Sequence, residues 1–377
     1  MKVMIVVTHL LGTGHLARAL TLGRAFRDAG HAVTLVSGGT PVPHFDASGL
    51  GFVQLPPVRS NGTDFTTLLQ EDGTAAGGAY MQGRRDQTLA VVVDTAPDIV
   101  ITELFPFGRR ILRAEFRALL ETAQAQADRP LILSSIRDIL APPAKPAKAA
   151  FADDMIIQFY DGVLVHSDPE VVALDQSWPV SERLAARLHY TGFVAPPPPV
   201  PTRRAPRDSI LVSAGGGSVG DRVFDAVIDA ARLRPQVHWL LLVGGNDARR
   251  RRLAARAPAH VSVRPPRRDY RALLQGALAS VSMCGYNTAL DVMQTGVPSV
   301  LVPFDDGGEV EQSLRAEALS TLNGIAVLRQ DALSGPAVLK ALDDVQAAAP
   351  RPPRVTGMDG AARAVDIACA LRAGRSG

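Results

Sequence analysis

Two clusters of residues in this chain have types and spacings that could do chemistry. The larger runs Met283-Cys284-Gly285-Tyr286-Asn287-Thr288-Ala289-Leu290-Asp291, then Thr295-Gly296-Val297-Pro298, Val302-Pro303-Phe304 and Glu311-Gln312. An apolar strand, Ala279 to Met283, ends in the Gly-Tyr-Asn turn. A helix is expected to open at Asn287 or Thr288, both good N-cap residues. Its free N–H groups and partial positive charge suit an anion. Asp291 falls about one turn later, at the same end of the sheet. A second strand, Ser299 to Pro303, leads to a polar loop ending in Glu311 and Gln312. These residues offer a phosphate cradle, a carboxylate suited to ribose hydroxyls and an acid–amide pair suited to sugar hydroxyls.

The smaller cluster is Gly12-Thr13-Gly14-His15, after the first apolar run. An imidazole with an ordinary pKa of about 6.5 can be neutral at physiological pH and take a proton from a hydroxyl. In a doubly wound sheet the fourth strand lies beside the first, and its carboxyl end carries Glu103. That carboxylate could bond the imidazole and stabilise its cation. The bland alternative for His15 is a polar residue at a helix start. His9, a rival in the same loop, is expected to be packed structure.

The elements that must hold these residues repeat a strand–helix rhythm. Lys2 to Thr8 is a β-branched run expected as a buried parallel strand. Leu16 to Ala29 has helical periodicity, with Gly30 beyond its end. Strands are expected at 32–36, 52–55, 98–102, 131–135, 162–166 and 188–192, and helices at 89–96 and 111–127. The segment from Arg59 to Met81 reads as a long loop, and Ala141 to Ala150 as a mobile Pro/Ala/Lys stretch. After the proline run Ala195-Pro196-Pro197-Pro198-Pro199-Val200-Pro201 the rhythm restarts. Ser209 to Ser213 leads to Ala214-Gly215-Gly216-Gly217-Ser218-Val219-Gly220 and a helix from Asp221. Glycines there let the backbone approach a diphosphate, although a Gly-rich turn can also be a plain connector. The expected layout is an N-terminal domain at 1–195, a Pro-rich linker at 196–207, a second domain at 208–355 and a returning helix at 356–377. The expected fold class is α/β, two Rossmann-like domains facing across a cleft.

Composition narrows the classes. The 377 residues are 46% hydrophobic and 20% charged, enough for two full cores, and the net charge of +3 is too balanced for a dedicated nucleic-acid binder. With only Cys284 and Cys369, a disulfide framework or cysteine zinc site is excluded and a reducing cytoplasm is expected. No apolar run reaches the ~20 residues that span a bilayer. The Arg249 to Arg252 run is expected to be an exposed helix face, with membrane-surface contact as a further option. His166 and Asp168 lack further ligands for a metal site.

The Cys-Gly-Tyr-Asn-Thr string, the acidic Asp291, Gly-Val-Pro and Glu-Gln resemble the donor-binding segment of GT-B glycosyltransferases. They are similar both to the peptidoglycan lipid-intermediate N-acetylglucosaminyltransferase group and to the UDP-glycosyltransferases. Met283 stands where the latter usually have His, and Asp291 where they usually have Glu. The strings around Gly14-His15, Glu103 to Arg110, Ser135 to Leu140 and Val165 to Pro169 resemble a bacterial group of predicted glycosyltransferases of that fold. The resemblance implies transfer from a nucleotide-diphospho-sugar, a UDP-sugar, to a hydroxyl acceptor with inversion, His15 acting as base and Glu103 as its partner. Donor contacts are assigned to Gly216, Gly217, Ser218, Arg264, Gly285, Tyr286, Asn287, Thr288, Asp291, Glu311 and Gln312. Acceptor contacts are assigned to Gly14, Arg109, Arg137 and His166. A bound metal and a separate cofactor are not expected, since the nucleotide sugar is a co-substrate. The acceptor is a small molecule, a lipid-linked compound or a glycan. A nucleotide-sugar hydrolase and a non-catalytic nucleotide-binding protein remain alternatives. A dinucleotide oxidoreductase is disfavoured because Ala17 stands where a third glycine would be.

Overall fold

The computed structural model describes residues 1–43, 45–61, 64–199, 209–215, 219–306 and 310–375. The chain divides into two compact units, Met1–Ala195 with Gly357–Gly377, and Pro196–Thr356. The linker residues 200–207 lie outside the described residues.

The first unit runs β1 (Lys2–Val7), α1 (Gly14–Asp28), β2 (Ala32–Ser37), β3 (Gly51–Gln54), β4 (Arg59–Asn61), β5 (Asp64–Leu69), α2 (Gly78–Thr95), β6 (Ile99–Glu103), α3 (Arg113–Gln124), β7 (Leu131–Arg137), α4 (Pro146–Phe159), β8 (Gly162–His166), α5 (Glu182–Ala185) and β9 (Leu188–Tyr190). Seven strands form a parallel sheet in the order β3-β2-β1-β6-β7-β8-β9. The apolar run of β1 follows from burial on both faces. Val3, Ile5 and Val7 pack with α1, while Met4 and Val6 pack on the opposite side with α3 and α4. The order places β6 between β1 and β7, so the carboxyl ends of these strands are neighbours.

The second unit runs β10 (Ser209–Ser213), α6 (Asp221–Leu233), β11 (His238–Leu242), α7 (Asp247–Arg256), β12 (Val261–Arg264), α8 (Tyr270–Gly276), β13 (Ala279–Ser282), α9 (Tyr286–Thr295), β14 (Ser299–Leu301), α10 (Glu311–Leu319), β15 (Ile325–Val327) and α11 (Gly335–Ala347). Its six strands are parallel in the order β12-β11-β10-β13-β14-β15. The final helix, α12 (Gly360–Gly374), belongs to the first unit, where Ala361, Ala364, Val365 and Ala368 share a core with α1. Val194 bridges Asp359 there, and a Cβ on Gly360 would come within 2.4 Å of the Gly192 carbonyl oxygen.

Several expectations need correcting. The segment from Arg59 to Met81 contains the β4–β5 hairpin and the start of α2. The helix expected at 89–96 is 18 residues long and begins at Gly78. It buries Arg84, Thr88 and Val92 at helical spacing, and because two of the three are polar the helix is hidden from an apolar periodicity count. Arg84 forms a two-pronged pair with Glu115 of α3, 3.1 Å on each side. The Pro/Ala/Lys stretch becomes α4 from Pro146, because proline suits a first helical turn.

Candidate functional site

At the carboxyl end of the first sheet, β6 ends in Glu103, whose register partner on β7 is Ser135. His15 is the second residue of α1, and its Nδ1 lies 2.8 Å from Glu103 Oε1. Thr13, the residue before that helix, makes no side-chain cap bond. Arg18, one turn further along α1, donates through Nη2 to the same Oε1 and lies 3.1 Å from Nδ1. Ser135 Oγ donates to Glu103 Oε2 at 2.7 Å. An ionised carboxylate only accepts, so His15 carries its proton on Nδ1 and keeps the Nε2 lone pair. Among the described residues no hydrogen bond engages that Nε2.

Electrostatics act in the same sense. Burial holds the His15 pKa well below its ordinary value, with Arg109 and Arg137 pushing the same way and Glu103 opposing. Its place in the first turn of α1 adds the positive end of a helix dipole. Burial would raise the Glu103 carboxyl, but Arg18 and His15 together hold it well below the usual carboxylate range. The result is an ionised carboxylate beside a neutral imidazole.

His166, assigned to acceptor contact, is displaced from that role. It is 0% exposed at the end of β8, with Nε2 2.9 Å from Ser135 Oγ and Nδ1 2.9 Å from Thr191 Oγ1. Because Ser135 gives its proton to Glu103, His166 must donate from Nε2. Burial pushes its pKa down to about 3, so it stays neutral. Arg109 donates from Nε to the Thr8 carbonyl at 2.6 Å, and Arg137 ends β7, both close enough to bear on His15. Gly14 opens α1. His9 is packed structure, its Nε2 3.0 Å from the Thr40 carbonyl and its ring tight against Gly39.

In the second unit α9 begins at Tyr286 with Gly285 as its N-cap residue and no side-chain cap bond. Asn287 and Thr288 are therefore inside the first turn, not caps, and their backbone N–H groups are among those a helix start leaves free. A Cβ on Gly285 would meet nothing within 4 Å, so the space before the helix is open. Tyr286 does not face that space. It is 5% exposed, and the Arg315 guanidinium lies 5.8 Å from its ring centre. Arg315 also donates to the Cys284 carbonyl at 3.0 Å.

Asp291 is buried and accepts from Arg271 Nε at 2.7 Å, yet burial pushes its carboxyl up to about 6. Arg271 also reaches Gln294 and the Pro196 and Pro197 carbonyls. Glu311 and Gln312 stand in the first turn of α10. Gln312 Oε1 accepts the N–H of Cys284 at 3.0 Å and of Phe304 at 3.1 Å, and among the described residues no hydrogen bond engages its amide N–H groups. Glu311 is buried. Gly216, Gly217 and Ser218 lie outside the described residues. Gly220 takes φ +88 as the N-cap residue of α6, and a Cβ there would come within 2.4 Å of Ala214 Cβ. Arg264 ends the edge strand β12, exposed, and donates to the neighbouring Val263 carbonyl, apart from the β13–β14 cluster. Arg18, Arg271, Gln294 and Arg315 were missed from sequence. Only Arg18 carried a signal there, its three-residue spacing from His15 on one helix face.

Residues 211–368 match the Glycosyltransferase family 28 C-terminal domain. The matched stretch runs from β10 into α12. It contains the α9 start, Asp291 and Gln312. A UDP-N-acetylglucosamine--N-acetylmuramyl-(pentapeptide) pyrophosphoryl-undecaprenol N-acetylglucosamine transferase of Brucella anthropi is 31% identical over 178 residues, 43% of this chain and 47% of that protein. The chain spans less than half the length of the curated relatives it matches. Among solved structures, MurG of Acinetobacter baumannii superposes with a TM-score of 0.59 at 16% identity, covering 98% of this chain and 99% of the other. The calicheamicin glycosyltransferase CalG4 gives 0.58 at 17% identity, covering 99% and 96%. The protein has the GT-B fold, two Rossmann-like domains. Among the described residues no helix is long and apolar enough to cross a membrane.

Proposed function

We propose that this protein is a glycosyltransferase that moves a sugar from a UDP-sugar to a hydroxyl acceptor with inversion at the anomeric carbon. The observation that carries the reading is the His15 Nδ1 to Glu103 Oε1 contact of 2.8 Å, which leaves Nε2 as an unprotonated base. His15 Nε2 takes the acceptor hydroxyl proton as the oxygen forms its bond to the anomeric carbon. The bond from that carbon to the diphosphate oxygen breaks, and the electron pair leaves with UDP. Glu103 steadies the imidazolium during the step. The leaving diphosphate is met by free N–H groups at the start of α9, whose dipole favours negative charge. Asp291 takes the ribose hydroxyls, and the Gln312 amide with Glu311 takes sugar hydroxyls. No metal or separate cofactor is assigned a role in this scheme. The relationship to the N-acetylglucosamine transferase of Brucella anthropi favours a lipid-linked acceptor, since that relative's name includes pyrophosphoryl-undecaprenol.

A thermal-shift panel of nucleotides and nucleotide sugars, followed by product analysis with candidate acceptors, tests the reading. A ligand at a hundred times its dissociation constant adds about 2.7 kcal/mol of stability. UDP-sugar binding followed by acceptor-dependent UDP release is expected. Full-rate sugar release without acceptor would make the protein a hydrolase, and tight binding without turnover would make it a binding protein.

A further inference from the structure

Arg18 has no place in the mechanism above, yet it is 2% exposed and aims a permanent charge at the acid of the His–Glu pair. Burying a guanidinium is costly unless it is paired and hydrogen-bonded. Its partner here is Glu103 Oε1, the same oxygen that receives His15 Nδ1–H. The other oxygen, Oε2, is taken by Ser135, itself fixed by His166. Glu103 is thus saturated with donors, and its charge is matched by one cation.

Resting on the glycosyltransferase reading, we propose that Arg18 is a positioning residue that lets Glu103 orient His15 without charging it. An unmatched carboxylate hydrogen-bonded to an imidazole favours the imidazolium, which cannot accept a proton. With Arg18 present the Glu103–Arg18 pair is close to neutral. His15 keeps the orientation that the carboxylate gives it while remaining a free base. The other charges bearing on His15 are Arg109, in the loop after β6, and Arg137, at the end of β7, and both oppose its protonation. His166 on β8 is neutral and contributes no charge. The segment Gly14-His15-Leu16-Ala17-Arg18 therefore carries both the base and the group that keeps it a base.

The test reads His15 directly by nitrogen NMR of histidine-labelled protein, so it does not depend on finding a substrate. In the wild type, His15 should be the Nδ1–H tautomer and neutral at pH 7. Arg18→Gln keeps a donor toward Glu103 but removes the charge. It should move the His15 titration midpoint up by about one pH unit or more. Arg18→Lys should leave the midpoint near the wild-type value, and it also serves if the Gln variant does not fold. An unchanged midpoint in Arg18→Gln, or a rise as large in Arg18→Lys, would overturn the proposal. Once a substrate is in hand, the acid limb of kcat should move up with the NMR midpoint in Arg18→Gln, with KM for the donor unchanged. Failure to find turnover would count against the glycosyltransferase reading and leave the NMR result standing.

Discussion

Arg271 donates its Nε–H to Asp291 Oδ1 at 2.7 Å, so the carboxylate assigned to ribose already has a charged partner. Arg271 is in turn held by Gln294 and by the carbonyls of Pro196 and Pro197. A carboxylate fixed in this way is pre-set to accept from hydroxyls without first shedding loosely held water. Burial nonetheless pushes Asp291 up to about 6.

A pH dependence of nucleotide binding follows. Above about pH 6 the Asp291 carboxyl is ionised and can accept from two hydroxyls, and below it the group protonates. UDP affinity is expected to fall as pH drops from 7 to 5. Hydrogen bonds to a charged group contribute about 1.5–3 kcal/mol, so Asp291→Asn should weaken UDP about tenfold or more and lose that acid limb. Isothermal calorimetry at pH 7 and 5 on both proteins checks this. Equal pH slopes would remove Asp291 from the site.

His166 makes a prediction about stability. Its folded pKa, about 3, lies below the ordinary value of about 6.5 expected in the unfolded chain. Between those values the unfolded state binds the proton, so stability is fully present above about pH 6.5 and is lost as pH falls. The loss from this residue is about 2 kcal/mol at pH 5. The depressed His15 pKa acts in the same direction. Urea unfolding at pH 7 and 5 should show a smaller pH difference in His166→Gln than in the wild type. An equal difference would mean that His166 is not the buried neutral group.

The contact between His15 and Glu103 was legible before the fold was known. His15 and Glu103 could be paired on paper because a doubly wound order places the fourth strand of the sheet beside the first. The Gly285 turn was legible because an apolar run ending in glycine and small polar residues marks a strand-to-helix junction. What stayed hidden is polar and buried. Arg84 and Thr88 line the inner face of α2, and Arg18 and Arg315 sit in helices where arginine reads as a solvated charge. Spacing cannot tell a buried arginine from an exposed one when its partner, Glu103 for Arg18 or the Cys284 carbonyl for Arg315, is far away in sequence. The role expected for His166 failed for the same reason. A histidine at a strand end looks available until Ser135 and Thr191 are seen to take both ring nitrogens.

The docking of α12 depends on a close approach at its first residue. A side chain on Gly360 would press on the Gly192 carbonyl oxygen at 2.4 Å and the Phe193 backbone at 2.7 Å. Backbone there cannot yield cheaply, and overpacking of this kind costs about 1–3 kcal/mol. Gly360→Val should lower the thermal midpoint and increase hydrogen exchange in α12 and in α1, which shares its core. A wild-type melting curve would show that this junction is looser than described.

The most direct measurement separates chemistry from binding at His15. Transfer from a UDP-sugar and the dissociation constant for UDP are measured in the wild type and in His15→Ala. Removal of a general base costs about 10²–10⁴-fold in rate. The account predicts a loss in that range with UDP affinity unchanged within about twofold, since the proposed scheme gives His15 no contact with the nucleotide. Transfer at the wild-type rate, or loss of transfer and UDP binding in equal measure, would contradict it.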